Sequence, residues 1–208
     1  MKKTVPTVFI ADDDSSVRKS LERLAKSAGF KVESFACAED FLARRPYRVS
    51  GCLVLDVRMP GLSGIALQKE LVQKGISLPI IFITGHGSIP MSVKAMKDGA
   101  VDFLPKPFDG KELISAIERA IDKDIRTRKE QEEKTKIQKR LSSLTPREYE
   151  VLRWVITGML NKQIAHRLKV SEKTIKVHRS RLMQKMQVVS VAELVRLAQK
   201  CSIALPKK

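Results

Sequence analysis

The sequence predicts an α/β fold for its first 120 residues, a doubly wound (βα)5 parallel sheet. Two observations carry this prediction. Short apolar runs alternate five times with segments whose apolar residues recur at helical spacing. Four of the five runs also stop at a polar residue or at proline, as strands of a parallel sheet do before they turn into a helix. After this fold, the sequence predicts a helical linker and then an all-α domain of four helices.

The five predicted strands are short, and the first, third and fourth are strongly apolar. They are residues 7–11, 31–35, 53–56, 79–84 and 101–104. The third is apolar up to Asp56, as expected of a strand buried on both faces of a sheet, and Pro60 and Gly61 cannot extend it. Asp56 is therefore expected at the carboxyl end of its strand, where open α/β sheets bind ligands.

Five helices are predicted to alternate with these strands, and sequence signals mark their ends. The start signals are Ser15, Glu39, Ser63, Ser88 and Asp109, and the stop signals are Gly29 and Gly99. Ser15 and Ser88 can act as helix caps, and Asp14 is also expected to be a cap. Right-handed crossovers between the strands leave few possible topologies.

Residues 121–143 are predicted to be a solvated helical linker that continues the fifth helix. From residue 122 onward the segment is mostly charged and contains neither proline nor glycine. Glu130 and Lys134, like Glu132 and Lys136, are oppositely charged pairs four residues apart, which support a helix. A disordered linker is the alternative.

The last part of the chain, residues 144–208, shows only helical patterns. Its four helices are predicted to begin near Thr145, Asn161, Ser171 and Val191. Thr145 is followed by proline and by an acid in the first turn, and Asn161 and Ser171 are candidate caps. The short connection at residues 169–171 predicts a helix-turn-helix.

The positive charge is concentrated in this last part. The chain of 208 residues has a formal charge of +17, and residues 144–208 hold 14 Lys+Arg against 4 Asp+Glu, a net +10. This asymmetry indicates a polyanionic partner for the C-terminal part, although a merely soluble basic surface is the alternative.

No apolar segment approaches the ~20 residues of a membrane span, no signal peptide is evident, and the three cysteines show no metal-ligand spacing. We expect a reduced, cytoplasmic protein without a membrane partner.

The predicted strand ends bring chemically active side chains to one edge of the sheet. They are Asp12, Asp13, Asp56, Thr84 and Lys106. Converging carboxylates repel one another unless a cation neutralises them, and Mg²⁺ takes one or two carboxylates while keeping several waters. A carboxylate can also attack a phosphoryl group and hold it as an acyl phosphate, with Mg²⁺ and a lysine balancing the phosphoryl oxygens. The sequence therefore predicts a phosphoryl-accepting site in which Asp56 reacts.

Residues 7–120 resemble the receiver domain of two-component response regulators. The pattern is Asp12-Asp13, Asp56 with Met59-Pro60-Gly61, Thr84-Gly85 and Lys106-Pro107, in the order and spacing of that family. The resemblance implies a flavodoxin-like sheet and phosphorylation of Asp56 by a sensor histidine kinase. It also implies that Asp13, Asp56 and the Arg58 carbonyl ligate Mg²⁺, with Asp12 holding the ion through water. Phe103 matches the aromatic switch position, expected to turn inward when Thr84 moves toward the phosphate.

The C-terminal part is similar to LuxR-type DNA-binding domains, in residues 150–152, Gly158, 161–165 and 171–178. With the receiver in front, the chain resembles the NarL/FixJ class of response regulators. In the third helix of this part, Ile175, Leu182 and Met186 are predicted to face the core. The opposite, basic side is expected to enter the DNA major groove. The candidate DNA-binding residues are Lys162, Lys173, Thr174, Lys176, Val177, Arg179, Ser180 and Arg181, with Lys176 and Val177 expected on bases and Lys162, Arg179 and Arg181 on phosphates.

These expectations together predict a phosphorylation-dependent transcriptional regulator that dimerises through its receiver and binds promoter DNA. Two other classes stay open. One is a haloacid-dehalogenase-like phosphatase, although such enzymes carry the nucleophile on the first strand with a second acid two residues on. The other is an interaction adaptor whose tail binds RNA or nothing. We interpret His86 as a solvated loop residue and Trp154 as a packing residue.

Overall fold

Five parallel strands form the sheet of the N-terminal part. They are β1 (Thr7–Ala11), β2 (Lys31–Phe35), β3 (Gly51–Asp56), β4 (Ile80–Thr84) and β5 (Asp102–Pro105). The computed structural model describes residues 5–44, 49–85 and 89–206. The strand order is β2-β1-β3-β4-β5 with every pairing parallel, so the predicted (βα)5 fold is confirmed. The order reverses between β1 and β3, where such sheets open a crevice.

Helices cover both faces of this sheet. They are α1 (Ser15–Ser27), α2 (Ala38–Ala43), α3 (Gly64–Gln73), α4 (Ile89–Lys97) and α5 (Gly110–Ser142). Because side chains alternate along a strand, Phe9 packs with α2, α3 and α4, whereas Val8 and Ile10 pack with α1 and α5. The three central strands β1, β3 and β4 are thus buried on both sides, as their apolar sequences predict.

Element ends differ from the predictions by one or two residues. β3 begins at Gly51, β4 begins after Pro79, and β5 is shifted by one residue. Pro79 has no N–H and contributes only its carbonyl, which accepts from Leu53 N at 2.9 Å. The prediction that Ser15 caps α1 is wrong. Asp14 caps it, since its carboxylate accepts from the amides of the second and third residues after it. The predicted cap Ser88 and the loop residue His86 lie outside the described residues.

The chain divides into two units, Met1–Arg128 and Lys129–Lys208. The 33-residue α5 is continuous to Ser142, which confirms a helical linker and is contrary to a disordered one. The second unit adds α6 (Pro146–Val155), α7 (Asn161–Leu168), α8 (Glu172–Met186) and α9 (Val191–Lys200). Within the described residues, no helix combines the length and the apolar character needed to cross a membrane.

The core of the second unit contains Ile175, Leu182 and Met186, each fully buried, which confirms the predicted inner face of α8. The prediction that Asn161 caps α7 is wrong, because Asn161 is already the first helical residue. The capping contact is made instead by Gln163, whose Oε1 accepts from Leu160 N at 2.8 Å. The Asn161 side chain is directed to another helix, as described below.

The three cysteines are free thiols. Cys52 is fully buried in β3, and burial raises the pKa of its thiol far above the usual value. Cys37, before α2, and Cys201, after α9, are only half-buried.

Glu148 joins two elements of the second unit. Its Oε2 accepts from Lys185 Nζ at 2.7 Å and from Thr145 N at 2.8 Å, and Thr145 Oγ1 accepts from Glu148 N, which completes a capping box at the start of α6. The hydrogen bond from Lys185, followed by that from the Thr145 amide, lowers the pKa of the Glu148 carboxyl below its usual value of 4.5. The ionised carboxylate therefore stabilises the second unit.

We expect Glu148→Gln to lower the unfolding midpoint of the second unit at neutral pH. Because the folded-state pKa is depressed, this contribution is present above pH ~4.5 and is lost as the pH falls through the folded-state value. The midpoint difference between wild type and variant should therefore shrink below pH ~4.5. The chain has one tryptophan, Trp154, so its fluorescence follows this unit alone.

Glu150→Gln is the matched control. Glu150 pairs with Arg147 on the same helix, but both side chains are largely exposed, and such ion pairs contribute little. A Glu148→Gln difference that stays constant from pH 7 to pH 3, or an equal effect of Glu150→Gln, would contradict the assignment.

Candidate functional site

A lysine and two acids meet at the carboxyl edge of the sheet. Lys106, directly after β5, donates from Nζ to Asp12 Oδ2 at 2.7 Å and to Asp56 Oδ1 at 2.8 Å. Asp12 follows β1, Asp56 is the last residue of β3, and both are buried, Asp56 with 6% of its surface exposed. Three of the predicted site residues are therefore in direct contact, although they lie far apart in the sequence.

Burial and charge act in opposite directions on this contact. Burial raises the pKa of the Asp12 carboxyl, while the hydrogen bond from Lys106 opposes the rise. Burial alone would lower the pKa of the Lys106 ammonium, but its hydrogen bonds to Asp12 and Asp56 raise it overall. Lys106 therefore stays charged and neutralises two carboxylates that would otherwise repel each other.

The segment after β3 is fixed against the strand ends. Arg58 N donates to Asp56 Oδ2 at 2.6 Å, and Val57 N donates to the Ile83 carbonyl at 3.1 Å. Helix α3 begins so close to the strand that a Cβ atom on Gly64 would lie 2.1 Å from the Asp56 carbonyl oxygen. Only glycine fits there, so the first residue of α3 helps to set the position of Asp56.

The acidic pair is oriented by Arg18, which the sequence interpretation missed. Arg18 Nη1 donates to the Asp12 carbonyl at 2.6 Å and to the Asp13 carbonyl at 2.9 Å. The backbone at the end of β1 is thereby held from α1, while the Asp13 side chain remains exposed. A basic residue in the first turn after three acids was the available signal, but a single such residue is not distinctive.

The two predicted switch residues lie on the neighbouring strands β4 and β5. Thr84 is buried at the end of β4, and its carbonyl accepts from Lys106 N at 2.7 Å. Phe103 is half-buried in β5, paired in register with Phe82, and their ring centroids are 6.2 Å apart. Phe103 thus packs against the buried core on the α4 side of the sheet.

The carboxylates of this site also limit how the expected Mg²⁺ could be held. Among the described residues, no group of three or more acidic, histidine or cysteine side chains is close enough to hold a metal ion by itself. Asp12 and Asp56 are nevertheless joined through Lys106, and Mg²⁺ needs only one or two carboxylates because it keeps several waters. The donor set fits a largely hydrated Mg²⁺ better than an ion enclosed by protein ligands.

The outer face of α8 forms the candidate nucleic-acid interface. Lys173, Lys176, Val177 and Ser180 are exposed at helical spacing, Val177 with 44% of its surface accessible. Thr174 is half-buried, and its Oγ1 lies 2.8 Å from Ser171 Oγ at the helix start. Lys162 and Arg181 are exposed as well, so most of the predicted DNA-binding side chains are accessible on the second unit.

Arg179 makes a contact within the protein. It is half-buried, and its Nη1 donates to Asn161 Oδ1 at 2.9 Å, which ties α8 to the start of α7. Trp154 is half-buried against the core of this unit, as the packing interpretation predicts, and the Arg167 guanidinium lies 4.8 Å from its ring centroid. Arg179 and Arg167, like Lys185, therefore have structural contacts of their own.

Comparisons with known proteins agree over both units. Residues 8–118 match the family described as response regulator receiver domain, and residues 142–198 match the family described as bacterial regulatory proteins, luxR family. The chain is 45% identical to nodulation protein W of Bradyrhizobium diazoefficiens over 97% of this chain and 88% of that protein. It is 45% identical to transcriptional regulatory protein FixJ of Rhizobium meliloti over 92% of this chain and 94% of that protein.

Two solved structures of response regulators are also similar to this chain over nearly its whole length. The response regulator StyR is 51% identical, with a TM-score of 0.85 over 95% of this chain and all of that one. Full-length FixJ from B. japonicum is 44% identical, with a TM-score of 0.59 over 97% of this chain and all of that one.

We expect Arg179→Met to lower the stability of the second unit by about 1 kcal/mol, because it removes a charged hydrogen bond between two helices. The unfolding transition followed by Trp154 fluorescence measures this loss. In a double-mutant cycle, Asn161→Ala should cost less in the Arg179→Met background than in the wild type.

Arg181→Met is the matched control, since it removes the same charge from an exposed position on the same helix. Its unfolding midpoint should stay close to that of the wild type. Equal loss in both variants, or full additivity with Asn161→Ala, would show that the Asn161 contact does not stabilise the unit.

Proposed function

Because the chain belongs to the response regulators that join a receiver domain to a LuxR-type DNA-binding domain, we propose that Asp56 accepts its phosphoryl group. The chain is a phosphorylation-dependent transcriptional regulator. We assign phosphoryl acceptance to residues 1–120, the helical connection to residues 121–143 and DNA binding to residues 144–208.

The contact of Lys106 with Asp56 is the observation that carries this proposal. An Asp56 carboxylate oxygen forms a bond to phosphorus, and the bond from phosphorus to the imidazole nitrogen of a phosphohistidine on a sensor kinase breaks. The electron pair of that bond stays on the imidazole. Lys106 is already charged beside the reacting oxygen, so it can balance the transferred phosphoryl group without moving far.

We propose that Asp12, Asp13, Asp56 and the Arg58 carbonyl hold Mg²⁺ at this edge. When bound, Mg²⁺ supplies charge neutralisation for the phosphoryl oxygens. The residues of the chain do the remaining work. Arg18 holds the Asp12–Asp13 backbone, and the Thr84 hydroxyl can donate to a phosphoryl oxygen.

Phosphorylation is proposed to shift a population of receiver conformations. Thr84 would turn toward the phosphoryl group and Phe103 would move further into the core it already touches. Phe103 lies in β5, which contacts α4, and Thr84 ends the neighbouring strand β4, so this shift would remodel the face formed by α4 and β5. A ligand or modification changes such an equilibrium only by its differential interaction with the two states.

The same face is the proposed dimer interface. Ile89, Val93 and Met96 occupy one side of α4 at spacings of four and three residues, and Ile89 has 81% of its surface exposed. Contiguous exposed apolar side chains of this kind favour a protein contact. Two paired chains would present two DNA-binding units to two half-sites, which raises their effective concentration on promoter DNA.

A phosphatase activity is not part of the proposal. In the alternative enzyme class, the first strand would carry the nucleophile with a second acid two residues on, which here are Asp12 and Asp14. Asp14 accepts from two backbone amides as the cap of α1, so its carboxylate is already held by the helix start and is not placed to act as that second acid. We therefore propose phosphoryl acceptance on Asp56 as the only covalent chemistry. A DNA target implies a cytoplasmic location.

We expect Asp56→Asn to abolish phosphate-driven dimerisation, because an amide cannot form the acyl phosphate. The mass of the full-length chain is measured by light scattering, with and without acetyl phosphate. Wild type should shift from monomer toward dimer, while the variant should not.

Asp40→Asn serves as the control for the loss of one carboxylate, since Asp40 is exposed on α2. It should dimerise with acetyl phosphate as the wild type does. Dimerisation of Asp56→Asn in response to the phosphodonor would refute the assignment of the acceptor.

Substitution of a residue that contacts bases should affect DNA binding differently from substitution of a residue that contacts phosphates. Lys176→Ala should relax base preference and cost about 1–3 kcal/mol on the preferred sequence. Lys162→Ala should weaken binding to all sequences similarly and lower the salt slope by about one. Titrations on preferred and scrambled duplexes at several salt concentrations measure both quantities. A uniform loss with Lys176→Ala, or a base-specific loss with Lys162→Ala, would reverse the two roles.

A further inference from the structure

Glu39 of α2 contacts the loop that follows Asp56. This loop, residues 57–63, joins β3 to α3. The Glu39 Oε1 accepts from Leu62 N at 3.0 Å, although the two residues are 23 positions apart in the sequence. Helices α2 and α3 pack on the same face of the sheet, so the side chain of one helix secures the backbone that leads into the other.

The glycine of the loop permits this approach. A Cβ atom on Gly61 would lie 2.8 Å from Glu39 Oε1, and the φ angle of Gly61 is +74°, a value that favours glycine. The hydrogen bond from the backbone amide of Glu39 itself, followed by that from Leu62 N, lowers the pKa of the Glu39 carboxyl. The acceptor is therefore a charged oxygen that lies directly on the loop backbone.

The loop is also fixed at its two ends. At its start, Arg58 N donates to Asp56 Oδ2 at 2.6 Å, and at its end, Gly64 N donates to the Val57 carbonyl at 3.1 Å. Glu39 holds the stretch between these contacts from a different helix. The Arg58 carbonyl, which the proposed function assigns to Mg²⁺, belongs to this stretch.

From these contacts we propose that Glu39 is a positioning residue for phosphoryl transfer, which acts through Leu62 to fix the loop so that the Arg58 carbonyl can ligate Mg²⁺. This role rests on the proposed Mg²⁺ site, because it concerns how one ligand of that site is oriented. Groups that orient a ligand change metal affinity without touching the metal. A carbonyl that is already held in place loses less conformational freedom when the ion binds.

Two substitutions separate the hydrogen bond from the charge. Glu39→Met and Glu39→Gln both remove the negative charge and keep the side-chain length, but glutamine retains an oxygen that accepts from Leu62 N. We expect Glu39→Met to bind Mg²⁺ about fivefold more weakly than Glu39→Gln. Titrations of the ¹⁵N-labelled full-length chain with Mg²⁺, followed at the backbone amides of Asp13 and Arg58, measure the two dissociation constants.

The contact itself can be measured in the absence of metal. The Leu62 amide should exchange its proton with solvent faster in Glu39→Met than in Glu39→Gln, because the methionine leaves it without its acceptor. Asp40→Met is the matched control, since it removes a carboxylate from the next, exposed residue of α2. It should leave both Mg²⁺ affinity and Leu62 exchange as they are in the wild type.

Equal Mg²⁺ affinity of Glu39→Met and Glu39→Gln would overturn the positioning role, and so would an equal loss in Asp40→Met. Lack of saturable shifts at Asp13 and Arg58 in the wild type would instead overturn the proposed Mg²⁺ site. Glu39 is exposed, so neither substitution removes a side chain from the core. Should Glu39→Met fail to fold, Glu39→Ala also removes the acceptor and provides the same comparison with Glu39→Gln.

Discussion

The contact of the Lys106 ammonium with Asp12 and Asp56 is the interaction on which the proposed chemistry of the first unit depends. Two carboxylates can be buried side by side only if a positive charge offsets their repulsion and their lost hydration. The three residues lie at the carboxyl ends of three different strands, so the contact requires the parallel order and register of the sheet. The charge contacts of the site therefore depend on the topology of the sheet, because a shift in strand register would separate the charges.

Positive charge has structural as well as functional uses in this chain. Arg18 orients the acidic segment, Lys185 neutralises Glu148, and Arg179 joins α7 to α8. A charge count over the last 65 residues therefore overstates the number of cations free to meet DNA. The exposed face of α8 is a better guide to the cations that can meet DNA than the charge count is, because its side chains are accessible without breaking contacts inside the core.

The fold and most of the site could be predicted because their signals are local or carried by the family pattern. Buried parallel strands are continuous apolar runs, and the residues that end them recur at characteristic places. Contacts between side chains distant in sequence, such as Asn161 with Arg179 or Gln68 with the end of α4, leave no periodic trace and were missed. The cap of α1 was ambiguous for another reason. Asp14 and Ser15 are both good capping residues, and the carboxylate reached two amides.

The distribution of the thiols has a practical consequence. Cys52 is enclosed in the sheet and stays protonated, so alkylating reagents should not reach it in the folded chain. Cys37 and Cys201 are more accessible, and one belongs to each unit. The unmodified sequence therefore carries a natural pair of attachment points for spin labels or fluorophores, through which the separation of the two units could be followed as the signalling state changes.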